Sequence, residues 1–264
     1  MARIRVGIGG WVFPPWRGVF YPLGLAQARE LEHASRRVTA IEINGTFYGA
    51  QKPESFRRWH DQTPEDFMFS VKASRYATHR RELAGAGASI ERFITGGVLE
   101  LRQKLGPILW QFPPSTRFDE SDFAAFLALL PNEAGGRALR HVVEVRHQSF
   151  ADARFIALLR RHRVAVALVD SDKHPLIADV TADFVYARLR RTVASEAAGY
   201  PPAALDIWAE RFRRWSRGDE PHDLPRHDPA PAPKQARDCF VYFISGAKEH
   251  NPAAAEALLA RLAP

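Results

Sequence analysis

The chain has 264 residues, of which 46% are hydrophobic and 25% charged, and this composition excludes a disordered or fibrous protein. No apolar stretch approaches the roughly 20 residues that a membrane span needs, so we predict no membrane partner. The net charge of +7 favours nucleic acid or small anions as partners, but it is dispersed over helical segments such as RFRRWSR and selects neither.

Short β-rich runs alternate with amphipathic runs along almost the whole chain, which is typical of a parallel sheet whose strands are joined by helices. We predict eight strands over residues 4–10, 39–46, 67–73, 107–112, 141–147, 164–170, 184–190 and 239–245. The predicted helices cover residues 24–36, 53–61, 89–105, 119–130, 152–162, 202–217 and 252–262. The connection 171–183 is too short and broken for a full helix.

Eight strands with nearly regular helices predict one α/β domain over residues 1–264, a (β/α)₈ or TIM barrel, for which about 250 residues is a typical length. An open doubly wound sheet is the alternative, since periodicity does not report whether a sheet closes. The segment 217–236 is rich in proline and charge but precedes the last strand and helix. We therefore interpret it as an exposed loop inside the domain.

Polar residues occupy the later part of several predicted strands. Side chains alternate along a strand, and in a barrel one set points inward while the other packs under the helices. In VVEVRHQSF (142–150), Val143 and Val145 suit the helix side, so Glu144 and Arg146 point inward and His147 lies at the rim. The same alternation, with Asp170 added because it ends its strand, predicts an interior ring of Glu42, Asn44, Lys72, Gln111, Glu144, Arg146, Asp170 and Arg188.

This ring lies at the carboxyl ends of the strands, where TIM barrels carry their catalytic residues. Its three acids and three bases are compatible with a neutral network that only fixes the barrel's register. The alternative is a pocket in which Lys72, Arg146 and Arg188 hold an anion and a carboxylate is the general acid or base. The catalytic candidates are Glu144, Glu42 and Asp170.

Further binding candidates come from two loops. In GGWVFPPWRGVFYP (9–22), Trp11 and Trp16 would either form an aromatic wall over the barrel mouth or pin the loop to the barrel. In KASRYATHRREL (72–83), His79 lies in a basic loop that would bind an anion or be solvated. The predicted substrate-binding set is therefore Lys72, Arg146, Arg188, Asn44, Gln111, His79, Trp11, Trp16 and Tyr48.

No cofactor is predicted, because the chain has no complete GxGxxG motif and no P-loop. The lack of a GxSxG motif likewise disfavours Ser-His-Asp catalysis. A divalent ion, Mg²⁺, Mn²⁺ or Zn²⁺, held by carboxylates and histidines at the strand ends is an alternative. Against it, HxH, HExxH and cysteine clusters are absent from the sequence, and interleaved lysine and arginine would repel a cation. We therefore assign no metal ligands.

The expected compartment follows from two features of the sequence. A single cysteine, Cys239, excludes an internal disulfide, which fits a reducing environment. The start, MARIRVGIGGW, has no long apolar segment followed by a small-residue cleavage site. We therefore expect a cytoplasmic protein, and the sequence predicts no particular oligomeric state.

Six ordered motifs closely resemble the family called domain of unknown function 72, the YecE-like proteins. They are GGWVFPPWRGVFYP, IEINGTFYGAQKPESFRRW, FMFSVKASRYATH, GPILWQFPPSTRFD, VVEVRHQSF and VALVDSD. The resemblance extends over nearly the full chain and implies a TIM barrel, but no established reaction. The family positions matched here are Trp11, Trp16, Glu42, Asn44, Thr46, Phe47, Tyr48, Lys72, Thr78, His79, Gln111, Glu144, Arg146 and Asp170.

Two places depart from the family pattern. After the seventh strand the family commonly has an arginine followed by His-Gly, whereas ARLRRT keeps Arg188 and continues with other residues. After the eighth strand an Asn-rich end is replaced by FISGAKEHN, in which the substitutes would be Lys248, His250 and Asn251. At these two places the histidine and the asparagines of the family pattern are not matched, so the resemblance carries over no role for them on that side of the mouth.

The sequence thus predicts an acid/base enzyme acting on a small anionic substrate, a sugar or sugar phosphate, with isomerase, lyase and hydrolase chemistry all open. One alternative is a nucleic-acid-binding or metal-assisted phosphodiester-cleaving protein using the same mouth, because the resemblance implies a barrel like that of endonuclease IV. The other alternative is a non-catalytic binding module.

Overall fold

The computed structural model describes residues 2–263, in which eight parallel strands form a closed barrel. The strands are β1 (Ile4–Gly9), β2 (Ala40–Ile43), β3 (Met68–Lys72), β4 (Leu105–Gln111), β5 (His141–Glu144), β6 (Ala165–Asp170), β7 (Phe184–Leu189) and β8 (Asp238–Phe243). Each strand pairs with the next along the chain, and β8 pairs with β1. The predicted TIM barrel is confirmed, and closure removes the open-sheet alternative.

The helices pack on the outside of the barrel. The α-helices of the described chain are α1 (Glu30–Ala34), α2 (Pro53–Asp61), α3 (Arg75–Thr78), α4 (Gly87–Thr95), α5 (Glu120–Ala128), α6 (Ala153–His162), α7 (Pro202–Arg217) and α8 (Asn251–Leu262). Local signals explain several starts: for example, the Asp119 carboxylate accepts the Asp122 amide at 3.0 Å and caps α5. A short antiparallel hairpin, Glu133–Ala134 with Arg137–Ala138, precedes β5.

Two predicted helices are interrupted. The segment 24–36 contains a 3₁₀ turn, Gln27–Arg29, followed by the five residues of α1. The segment 89–105 divides into α4 and a 3₁₀ segment, Val98–Lys104, because Gly97 adopts φ +121°, which no right-handed helix accommodates. The connection after β6 has no helix, as its sequence predicts.

The barrel interior and the layer beneath the helices are separate cores. Inside the barrel lie apolar side chains from alternate strand positions, among them Ala40, Leu109, Val142, Ala167 and Phe240. The residues between them, such as Ile41, Val143 and Val241, pack outward against the helices. This alternation determines which residues face the barrel mouth.

The segment 217–236 joins α7 to β8 without regular structure, and most of its side chains are exposed. It is nevertheless fastened to the barrel. Leu224 is buried in the outer core, and Asp228 pairs with Arg160 of α6 at 2.7 Å. In residues 2–263, no helix has the length and apolar character required to cross a membrane.

Candidate functional site

Five polar side chains meet inside the barrel at the carboxyl ends of its strands. They are Glu42, Lys72, Gln111, Glu144 and Arg188, and each is at most 6% exposed. Like the apolar residues of the interior core, they face into the barrel, and they lie one layer closer to its mouth. The structure therefore brings together the centre of the ring that the sequence predicts.

Arg188 of β7 joins the two buried carboxylates. Its Nη2 donates to Glu42 Oε1 at 2.9 Å, and its Nη1 donates to Glu144 Oε2. The other oxygen of Glu42 accepts the hydroxyl of Tyr186 at 2.5 Å. A buried carboxylate is stable only when it is paired and hydrogen-bonded. Arg188 therefore compensates both acids at once.

Glu144 has both carboxylate oxygens occupied. Oε1 accepts Gln111 Nε2 at 2.7 Å and Arg146 Nε at 2.8 Å, in addition to the Arg188 bond at Oε2. Burial alone would raise the pKa of Glu144, but Arg188 and Arg146 outweigh it and hold the pKa well below its ordinary value. Glu144 is therefore ionised at neutral pH, which suits a group that orients Arg146 better than the predicted general acid or base.

Lys72 ends β3 and differs from the other charges of the ring. Its Nζ lies 3.8 Å from the centre of the Phe47 ring, and it takes part in no ion pair among the described residues. Burial and the nearby Arg188 lower the pKa of Lys72 from 10.5 to about 8, against the opposing attraction of Glu42 and Glu144. A lysine with this pKa can exchange a proton near neutral pH.

Asp170 lies outside the ring, so its predicted place in the interior is wrong. Strand β6 presents Ala167 and Val169 to the interior, and the next residue therefore faces the other way. The Asp170 carboxylate accepts the Tyr200 hydroxyl at 2.9 Å and pairs with Arg191 at 3.6 Å. Burial raises the pKa of Asp170 despite these two partners.

Three predicted substrate-binding residues, Asn44, Tyr48 and His79, lie beyond the ends of β2 and β3, although Asn44 was predicted in the interior ring. Asn44 Nδ2 donates to the backbone oxygen of Glu42 at 3.3 Å, and Asn44 begins the 3₁₀ turn after β2. The rings of Tyr48 and His79 both pack edge-on against Phe47, at 5.0 Å and 5.3 Å between centroids. Tyr48 is 68% exposed and so leaves most of its ring open to a ligand.

The aromatic wall predicted from two tryptophans is wrong. Trp16 is fully buried, and its Nε1 donates to the backbone oxygen of Lys248 at 2.9 Å. Trp11 packs against Trp59 of α2 and against Phe69, which faces the helices, at 5.1 Å and 6.3 Å. Both tryptophans therefore pin the first loop to the outside of the barrel, which is the alternative that the sequence left open.

Arg190 is a residue of the mouth that our sequence reasoning missed. Its backbone amide donates to Asp170 O at 3.1 Å, so the sheet pairing continues and Arg190 has the inward direction of Arg188. Alternation within the predicted strand 184–190 is the signal that could have found it.

His174, in the loop after β6, is also close enough for Arg146 and Arg190 to lower its pKa, although burial is the larger cause.

These placements change the charge of the site. The inward-facing ionisable groups at the mouth are four cations, Lys72, Arg146, Arg188 and Arg190, and two carboxylates, Glu42 and Glu144. The three acids and three bases counted from the sequence would have cancelled. The observed group carries two positive charges in excess, and this excess favours an anionic ligand.

Two cavities flank the mouth. One, of about 380 Å³, lies between the turn after β2 and helices α3 and α4, and is lined by residues such as Thr46, Phe56, Tyr76, Arg92 and Phe93. The other, of about 580 Å³, lies between the loops after β3 and β4, and its charged lining residues are Arg80, Arg81 and Arg117 against Asp119 and Asp122. Both are within the size range of small-molecule sites.

The described part of the chain groups no ligand set for the divalent-metal alternative. Within residues 2–263, no three or more His, Cys, Asp or Glu side chains are grouped so that they could hold a metal ion. The two carboxylates at the mouth, Glu42 and Glu144, bond to Arg188 instead.

Comparisons with known proteins agree with this fold. A family model described as "Protein of unknown function DUF72" matches residues 5–264. UPF0759 protein YecE of Escherichia coli (strain K12) is 26% identical over 247 residues, covering 83% of this chain and 84% of that protein. UPF0759 protein YunF of Bacillus subtilis (strain 168) is 30% identical over 116 residues, covering 42% and 40%.

Solved structures show the same fold. The crystal structure of a DUF72 family protein (TM1631) from Thermotoga maritima has a TM-score of 0.71 at 22% identity, over 97% of both chains. A DUF72 family protein (EF0366) from Enterococcus faecalis has a TM-score of 0.70 at 16% identity, over 98% of this chain and 94% of that one. From its sequence match and its closed barrel, this chain belongs to the family described as protein of unknown function DUF72.

Proposed function

We propose that this protein is an enzyme that binds a small anionic substrate in the barrel mouth and transfers a proton with Lys72. The observation that carries the proposal is the buried ammonium group of Lys72, which lacks a carboxylate partner in the described chain and has a pKa of about 8. A proton-transfer group works best when its pKa lies near the working pH.

The other charged residues support this chemistry indirectly. Glu42 and Glu144 fix Arg188, and Glu144 also orients Arg146. Arg146 donates its Nε–H to Glu144, and its side chain is 20% exposed. Its two Nη groups are therefore available to bind a substrate anion. Such a site suits proton abstraction beside a carbonyl group, the reaction class of sugar isomerases and lyases.

The test begins with a thermal-shift panel of sugar acids and sugar phosphates on the wild type. Each stabilising compound is then incubated in D₂O, and exchange of its carbon-bound protons is followed by NMR. We expect Lys72→Met to lose this exchange and Arg146→Met to bind the compound at least about tenfold more weakly. Lys234→Met is the matched control, because Lys234 is 81% exposed in the loop before β8.

Two results would count against the proposal. Exchange in Lys72→Met at the wild-type rate would mean that Lys72 does not move the proton. A compound that binds the wild type but shows no exchange, isomerisation or cleavage would instead support the alternative of a non-catalytic binding module.

Nucleic-acid binding is the second candidate, and the basic cavity beside the mouth favours it. Arg80, Arg81 and Arg117 line this cavity and outnumber its two carboxylates, Asp119 and Asp122, and arginines of this kind bind phosphate backbones. This function predicts binding of duplex or single-stranded oligonucleotides that weakens steeply with salt, and that is lost when the three arginines are replaced by alanine. Failure to bind either oligonucleotide at low salt would reject this candidate.

A further inference from the structure

The guanidinium group of Arg190 is only partly satisfied. Its Nη2 donates to Ser245 Oγ at 3.4 Å, while its Nε and Nη1 are buried without a hydrogen-bond partner in the described chain. A buried charged donor without an acceptor is unfavourable by more than the value of an ordinary hydrogen bond. Arg190 is therefore arranged for an acceptor that the described chain does not supply.

The excess charge of the mouth indicates what that acceptor is. Arg188 pairs with Glu42 and Glu144, and Arg146 pairs with Glu144, so the cations without a carboxylate are Lys72 and Arg190. A phosphate monoester suits the open donors of Arg190 better than a single carboxylate does, because it carries a charge of about −1.5 to −2 at pH 7 and offers three acceptor oxygens.

The position of Arg190 suits a phosphate group. Arg190 follows β7 and Ser245 follows β8, and the ends of these two strands frequently form the phosphate site of a TIM barrel. Ser245 also has φ +67°, a left-handed conformation that is strained for a residue with a side chain and is typical of ligand sites. In a barrel of eight strands, β7 lies opposite β3, which carries Lys72.

We propose that Arg190 and the hydroxyl of Ser245 bind a phosphate monoester group of the substrate, across the mouth from Lys72. This proposal rests on the proposed function and names its substrate class. The phosphate at β7 and β8 leaves the rest of the molecule to extend towards Lys72. A sugar phosphate would then present its reacting carbon to the lysine, with Arg146 and Gln111 on the floor between them.

The test uses inorganic phosphate as the probe and isothermal titration calorimetry on the full chain. We expect wild type to bind phosphate, Arg190→Met to bind it at least about tenfold more weakly, and Ser245→Ala about two- to fivefold more weakly. The matched control is Arg191→Met, since Arg191 is the adjacent arginine and is already paired with Asp170 and Asp172. Its affinity for phosphate should equal that of the wild type.

The outcomes separate this proposal from the proposed function. Phosphate binding by Arg190→Met that equals wild type, with Ser245→Ala also unchanged, overturns the phosphate site but leaves proton transfer by Lys72 intact. No phosphate binding by wild type at about 20 mM also overturns the site, since the binding free energy would then be weaker than about 2.3 kcal/mol. Normal phosphate binding by Lys72→Met, which lacks proton exchange, supports the assignment of phosphate to Arg190.

Discussion

Replacing Lys72 by methionine should stabilise the folded protein at pH 7, although it removes the proposed proton-transfer group. The lowering of the Lys72 pKa from 10.5 to about 8 means that the buried charge destabilises the fold by about 3 kcal/mol. Methionine has a similar length and no charge. It loses the cation–π contact with Phe47, worth about 1 kcal/mol, so the net gain should be about 2 kcal/mol.

The gain should depend on pH in one direction. The Lys72 pKa is about 8 in the folded chain and 10.5 in the unfolded chain, so between these values the unfolded state binds more protons. Wild-type stability therefore rises with pH in this window, and the advantage of the variant disappears towards pH 10.5. The charged groups that act on Lys72 are Arg188, Arg146, Glu42 and Glu144.

Urea unfolding at pH 7 and pH 9.5 measures this effect on wild type, Lys72→Met and the control Lys234→Met. A net gain of about 2 kcal/mol corresponds to roughly 4–8 °C in Tm for a chain of this size, and the control should stay within about 0.5 kcal/mol of wild type. A Lys72→Met variant that is less stable than wild type at pH 7 would show that the buried charge does not destabilise the fold. A stability difference that is the same at both pH values would show that the pKa of Lys72 is not lowered by folding.

Replacing Arg188 by leucine leaves Glu42 and Glu144 buried without their shared partner, and urea titration should show a loss of about 3–5 kcal/mol; a loss below about 1 kcal/mol would contradict the pairing. Trp16→Ala should cost about 3–5 kcal/mol in the same assay, because a fully buried indole is removed, and a variant as stable as wild type would disprove its core position. Burial raises the pKa of the Cys239 thiol, so a disulfide reagent should label it only in denaturant, and rapid labelling of the native protein would show that it is accessible.

Alternation along the strands predicted the centre of the site. In β2, β3 and β5, each inward polar residue is flanked by apolar residues that face the helices, so the sequence distinguishes the two faces. Strand β6, with the sequence AVALVD, is apolar on both faces and offers no such contrast. The direction of Asp170 could therefore not be read from its own strand, and it was wrongly added to the ring.

The position of Trp16 depends on a contact that sequence patterns do not report. Its indole donates to the backbone of Lys248, which lies 232 residues further along the chain. An aromatic residue in a loop has no periodicity that separates a ligand wall from a packing anchor. The positive charge excess of the mouth was missed for a similar reason. It depends on Asp170 facing away from the interior and Arg190 facing into it.

The bonds between Arg188 and its two carboxylates have a consequence for how a ligand would be received. Glu42, Glu144 and Gln111 already bond to neighbours, so the floor of the mouth is assembled before any ligand arrives. Its dipoles need no reorganisation when charge develops in a reaction, which is the main electrostatic advantage that enzymes hold over water. Substitutions in the loops above this floor can therefore change which ligand is bound, while the charges and dipoles of the floor stay in place.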